Sequence, residues 1–168
     1  MSYRFNQIEQ ITQIKKESFK SDSTQIILNN PNINTLVIDN FFDECMIDFS
    51  LSKDIILDDI TKCILMSDDS CESILITNEI ECISDSNKIN NIICKVYRTV
   101  QAGVSVEAYI LDGVSEYPVS LMNSITMNYL NIDNLKKFRF KLKINKSENV
   151  KSPVIETISL FFYDTSIN

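Results

Sequence analysis

Phe138-Arg139-Phe140-Lys141-Leu142-Lys143-Ile144 alternates apolar and basic residues at every position. Successive side chains of a strand point to opposite faces, so a period of two describes one buried face and one solvated face. The neighbouring segments repeat that pattern. Val104, Val106, Ala108 and Ile110 form one face of a segment whose other face carries Ser105, Glu107, Tyr109 and Leu111. Asp112-Gly113 then supplies a reversal, because glycine tolerates the positive φ that hairpin turns demand. Tyr117, Val119 and Leu121 alternate on the return. After a polar loop at Asn145–Lys151, Ser152-Pro153 leads into a last strand, Val154–Tyr163. Proline suits that entry because it has no amide to give to a ladder. Leu160, Phe161, Phe162 and Tyr163 place apolar residues on both faces, which suits a strand central to its sheet or covered on its second side.

Upstream, the chain breaks into strand-length pieces with turn signals every 8–12 residues, the rhythm of a sandwich or barrel. Gln25–Leu28, Thr35–Ile38, Ile60–Met66, Ser73–Thr77, Ile80–Ile83 and Ile89–Val100 read as strands. So does Cys45–Leu51, with Ile47, Phe49 and Leu51 on one face. Leu51–Ile60 reads alternatively as a short helix, and Leu121–Leu135 is ambiguous. The expected fold class is therefore all-β, an antiparallel β-sandwich over residues 25–168. At 168 residues such a chain can bury roughly 70% of its unfolded surface. Twenty-six isoleucines suit a pleated surface, and 17 asparagines and 19 serines supply turns.

Residues 1–24 differ. Phe5, Ile8, Ile11 and Ile14 recur at every third position, extended by Tyr3 and Phe19, with polar residues between. That spacing predicts a short amphipathic helix or a docking arm. As a helix it would cover an open face of the domain; as an arm it would cross to a partner subunit. Met1–Lys20 has none of the make-up of a signal peptide, and no apolar run reaches the 18 or more residues of a membrane span.

Several function classes lose their usual equipment. The chain has no histidine, the commonest general base and metal ligand near neutral pH. Its two glycines, Gly103 and Gly113, cannot build a phosphate-cradling loop. Cys45, Cys63, Cys71, Cys82 and Cys94 show no C-x-x-C spacing. They are expected to be reduced thiols packed as small hydrophobes, made in a reducing cytoplasm. Asp58-Asp59, Asp68-Asp69 and Glu72 could offer oxygens to calcium, but they lack the spacing of a known loop and read as solvated turns. We therefore expect no enzyme, no cofactor and no metal.

Charge is uneven. Residues 1–135 carry 9 basic and 20 acidic side chains, whereas residues 136–168 carry 7 and 3, or −11 against +4. So acidic a body is a poor match for nucleic acid. Lys137, Arg139, Lys141 and Lys143 form a basic strand face that would orient a neighbouring subunit or, more plainly, discourage edge aggregation.

Together, the Val104–Gly113 strand with its DG turn, Tyr117-Pro118-Val119, the alternating basic strand and S-P-V-I-E-T-I-S-L-F-F-Y (152–163) resemble the end of a jelly-roll module. Such modules occur in baseplate, tail-tip and appendage proteins of tailed phages and of contractile tail-like bacteriocins, and are similar to discoidin-like and carbohydrate-binding modules. The resemblance spans about 60 residues. It departs at the hairpin, where Asp112-Gly113-Val114-Ser115-Glu116-Tyr117 replaces a Gly- and Trp-containing turn.

The resemblance implies a non-enzymatic assembly subunit of a phage tail or tail-like particle, associated with the baseplate. Its partners would be other tail subunits and copies of itself, with no nucleic acid and no membrane. Its final location would be a virion or tail-like particle. Phe5, Ile8, Ile11 and Ile14 are then the expected inter-subunit anchor. The alternative is a carbohydrate-binding module attaching to a cell surface, with Tyr97, Tyr109 and Tyr117 as sugar platforms.

Overall fold

Eleven strands are found among the residues that the computed structural model describes, which are 33–39, 46–67, 69–81, 91–113, 115–121, 128–129 and 137–163. They are β1 (Ile33–Asp39), β2 (Ile55–Asp58), β3 (Cys63–Met66), β4 (Glu72–Ile76), β5 (Ile80–Glu81), β6 (Asn91–Thr99), β7 (Val104–Leu111), β8 (Glu116–Val119), β9 (Asn128–Tyr129), β10 (Lys137–Lys146) and β11 (Val154–Tyr163). None of the described residues is helical. The expected helix or arm at residues 1–24 lies outside the described residues, as does the strand expected at Gln25–Leu28.

All pairings are antiparallel and fall into two sheets. One has six strands in the order β2-β3-β11-β6-β9, with β1 also on β11; the other has five in the order β4-β10-β7-β8, with β5 also on β10. Each sheet is organised around one ten-residue strand. Along β10, β7 pairs with Arg139–Lys146 on one flank, while β4 takes Lys141–Asn145 and β5 takes Lys137–Phe138 on the other. Along β11, β6 runs the whole length of one flank, while β3 takes Val154 and Ile155 and β1 takes Ile158–Tyr163.

Thr77 bridges the gap between β4 and β5. Its amide donates to the Phe140 carbonyl at 2.9 Å, and its hydroxyl accepts from the Phe140 amide at 2.9 Å. A side-chain oxygen thus stands in for a ladder carbonyl where the flank changes strand, and no buried amide of β10 is left bare there.

The core lies between the sheets. Phe138, Phe140, Leu142 and Ile144 of β10 are 0–2% exposed, and they share the core with Ile64, Met66, Cys94, Val96, Ile155, Ile158 and Leu160 from the other sheet. The alternation read at 138–144 is therefore the alternation of burial. The two sheets differ on their outer faces. The five-stranded sheet turns charged side chains outward. On the six-stranded sheet, Thr157 (6% exposed) and Ser159 (0%) are buried although they alternate with the core residues Ile158 and Leu160. Strand β11 is both central and buried on two faces at that point, and among the described residues the Ser159 hydroxyl has no hydrogen-bond partner.

Two stretches differ from the sequence reading. Cys45–Leu51 was expected to alternate as a strand, yet the structure has only an isolated bridge, Ile47 to Thr77, followed by a turn that leaves Phe49 and Leu51 exposed. The Asp48 carboxylate accepts from the amides of Ser50 and Leu51 and from the Ser50 hydroxyl, and its carbonyl accepts from Leu51 and Ser52. Short polar side chains that bond nearby amides divert a chain from strand geometry.

Asp58 does the same, accepting from Ile60 and from the Thr61 amide and hydroxyl. Lys62 closes that turn at φ 53°. The next strand therefore starts at Cys63 rather than Ile60, and 51–60 holds β2 instead of a helix. At the other hairpin, Gly113 sits at φ 93°, and the Asp112 carboxylate accepts from the Ser115 amide at 2.8 Å.

Emptying the centre of β10 should be costly. Phe140→Ala and Leu142→Ala should each lower the unfolding free energy in urea by about 3–5 kcal/mol, the range for large-to-small changes at sealed sites. Ile56→Ala, at a half-exposed position, should stay within about 0.5 kcal/mol. Equal losses at the three positions would mean that the core lies elsewhere.

Candidate interaction face

The outward side of β10 presents Lys137, Arg139, Lys141 and Lys143 in a row, as the alternation predicts, but each has a carboxylate partner in a neighbouring segment. Lys137 Nζ lies 2.9 Å from both Glu79 and Glu81. Arg139 donates to Asp48 at 3.0 Å and to the Thr77 carbonyl at 2.9 Å. Lys141 reaches Glu116 at 2.8 Å, and Lys143 reaches Glu72 at 3.1 Å. The face is a lattice of alternating charge, not a bare positive stripe. It is suited to setting the register of strands and to rejecting mismatched partners more than to long-range attraction.

The acids come from positions 48, 72, 79, 81 and 116. Only the strand register brings them to β10, so a linear reading finds the cations and misses the partners. The one sequence signal was the regular spacing of the lysines, which demands compensation from the flanking strands.

The electrostatics follow. Asp48 is held below the ordinary carboxylate range, first by the Ser50 hydroxyl, then by the amides of Leu51 and Ser50 and by the Arg139 charge. Asp58 is lowered chiefly by the Thr61 hydroxyl. Glu81 is lowered by its hydrogen bond to Lys137, and Lys143 is raised by Glu72.

At one end of this face is an open groove of about 460 Å³, lined by Glu79, Asp112, Glu116, Lys137 and Arg139 over Leu111 and Phe138. Its polar groups could hydrogen-bond a hydroxylated ligand. Two of the expected sugar platforms, Tyr109 and Tyr117, are otherwise engaged. The Tyr109 ring has Lys141 Nζ 5.4 Å from its centroid, and its hydroxyl donates to Glu107 at 2.7 Å. Tyr117 packs against the core and donates to Asp112 at 2.9 Å. Both phenols are raised, each first by its carboxylate hydrogen bond. Tyr97 occupies the β6 position opposite Thr157.

The remaining expected residues scatter. Phe5, Ile8, Ile11 and Ile14 lie outside the described residues, as do Cys45, Cys82 and Asp68. Cys63 and Cys94 are buried, and Cys71 is exposed. Burial pushes the Cys94 thiol well above its ordinary range. Asp58 is occupied in its turn, and Asp59 pairs with Lys62 at 3.3 Å. Among the described residues no group of three or more Cys, Asp or Glu side chains converges as a metal ligand set, and no helix is long and apolar enough to cross a membrane.

A second surface was not anticipated as a site. Phe49, Leu51, Ile56 and Ile60 are exposed large hydrophobics within one twelve-residue stretch, and Ile56 and Ile60 are 50% and 64% exposed. Ile56 lies opposite Leu65, which lies opposite Val154, so the three form a cross-strand row over β2, β3 and β11. Leu65 and Val154 are half-buried.

Two outcomes check this geometry. Asp48 and Asp58 bind protons more weakly folded than unfolded, so their stabilisation is complete above the unfolded carboxylate range and is lost as pH falls through the folded values. Asp48→Asn should lower the urea midpoint at pH 7, and its gap from the native sequence should begin to narrow as pH falls below about 4 and go on narrowing at more acid pH. A gap that does not change with pH would assign Asp48 no such role. In thiol labelling followed by peptide mapping, Cys71 should react at once, while Cys63 and Cys94 should wait for unfolding. A scan against protein-family models finds no match to this chain, and a search of curated proteins finds none either.

Proposed function

We propose that the protein is a non-enzymatic structural subunit of a phage tail or tail-like contractile particle, associated with the baseplate, and that its sandwich is a jelly roll. The strand order supports the second part. Leaving out β1, β2 and β5, the sheets run β3-β11-β6-β9 and β4-β10-β7-β8. The chain switches sheet at nearly every step, and the last strand lies beside the first, as in an eight-stranded double Greek key. Jelly rolls serve viral coats and lectins alike, so the fold narrows the choice without making it.

The observation that carries the docking reading is the concentration of exposed apolar side chains between Phe49 and Ile60. Exposed apolar side chains mark contact surfaces where they are contiguous in space, and the strand register makes Ile56 contiguous with Leu65 and Val154. The charged face of β10 would then orient neighbouring tail subunits, and the stripe Phe5, Ile8, Ile11 and Ile14 would anchor one copy to the next. The exposed apolar residues favour this over the second reading, a carbohydrate-binding module using the groove beside Asp112 and Glu116.

Immunogold labelling of purified particles should place the protein at one end of the tail; particles without label would overturn the reading. Deleting residues 1–20 should leave a folded monomer that no longer assembles, by circular dichroism and light scattering. Unfolding on deletion would make the stripe part of the core. A glycan array should be blank, and a specific hit abolished by Glu116→Gln would favour the sugar reading.

A further inference from the structure

We propose that residues 46–54 are an edge guard, a strap that seals the outer flank of β4 and keeps that strand from pairing with a second copy of this chain. Strand β4 ends its sheet, with β10 on its inner flank. Left bare it would be a hazard. Ser73-Ile74-Leu75-Ile76-Thr77 holds no charge, proline or glycine, the make-up that templates edge-to-edge addition.

The outward backbone groups of β4 can be accounted for one by one. In an antiparallel strand, alternate residues turn both backbone groups to the same flank. The Thr77 amide donates inward to Phe140, so Ile74 and Ile76 turn their amides and carbonyls outward. The strap takes all four. The Ile74 amide donates to the Lys53 carbonyl at 2.9 Å, and the Ile74 carbonyl accepts from the Lys53 amide at 2.7 Å. The Ile76 carbonyl accepts from the Asp48 amide at 2.8 Å, and the Ile76 amide donates to the Ser52 hydroxyl at 2.9 Å. Just past β4, the Asn78 amide donates to the Met46 carbonyl at 2.6 Å.

The strap seals this edge without making another. Between its two bridges, Ile47 to Thr77 and Lys53 to Ile74, five strap residues face two on β4. The excess leaves the edge as a turn. The Leu51 and Ser52 amides and the Ser52 hydroxyl all converge on the Asp48 carbonyl, the hydroxyl at 2.8 Å. Arg139 fastens the Asp48 carboxylate to β10 at 3.0 Å. At the far end, Asp54 bends the chain at φ 53° before β2 begins, and the Lys53 side chain is mostly exposed. A flank broken by a turn and charged beside it offers no run of amides to an incoming strand.

Hydrogen exchange on the full-length chain reads the seal amide by amide. Ser52→Ala should speed exchange of the Ile76 amide about tenfold, the worth of one hydrogen bond. The adjacent Thr77 amide, on the inner flank, should keep its rate. Ser52→Thr retains a hydroxyl and should bring the Ile76 rate back towards native. Asp48→Ala with Ser52→Ala removes both side-chain clasps, and sedimentation velocity should then show a new, concentration-dependent association. Adding Ile76→Glu, opposite Lys141 in register, sets a charge on the opened edge and should abolish that association. Equal acceleration at Ile76 and Thr77 would mean a loosened sheet and would overturn the guard. So would an unchanged Ile76 rate, no new association, or an association that Ile76→Glu leaves intact.

Discussion

The side chains of Phe138, Phe140, Leu142 and Ile144 need a dry partner surface, and the architecture follows from supplying one. A ten-residue strand with a sealed face must have neighbours on both flanks and a second sheet beneath it. Strand β10 gains its neighbours from β7, β4 and β5, and β11 supplies the facing centre with Ile155, Ile158 and Leu160. Both long strands solve the same problem, a flank longer than the strands that cover it, by taking two short strands end to end. At the junction on β10, Thr77 contributes its hydroxyl where the ladder would otherwise lose an acceptor. The polar detail there is subordinate to the burial.

That hierarchy explains how far the fold can be read from residues. Strands β7, β8 and β10 were legible because one face of each is sealed and the other wet, so alternation and burial coincide; β11, buried on both faces at 157–160, was legible from its proline entry and its apolar run. The turn at Gly113 was legible because few other residues accept its φ. The region from Cys45 to Lys62 was not. There Ile47, Phe49 and Leu51 imitate a strand, but the carboxylates of Asp48 and Asp58 collect nearby amides and close turns. Side-chain competition for backbone donors acts over two or three residues and leaves hydrophobic periodicity unchanged, so a periodic reading cannot detect it. The ion pairs of β10 were half legible for a related reason. The cations are adjacent in sequence, whereas their acids converge only through register.

The two outer surfaces differ in what they present to solvent. On the five-stranded sheet, charge is balanced locally, which keeps strands in register and penalises a misaligned contact. On the six-stranded sheet, polar Ser159 lies buried while apolar Ile56 and Ile60 meet water. This inverts the usual distribution of polar and apolar side chains, a departure that carries information where a lone exposed leucine does not.

The position of β11 has a consequence for biosynthesis. The last strand described is the centre of its sheet, and β1, β3 and β6 all pair with it. Until the ribosome has added Val154–Tyr163, at about 5–20 residues per second, those three strands have no central partner. The nascent polypeptide must hold their apolar segments unpaired until those ten residues exist, and long-range pairing is slow to form even then. A stop codon shortly before Val154 would therefore release a chain with half of its sandwich lacking a middle, a product for chaperones and proteases rather than a shorter version of the same molecule.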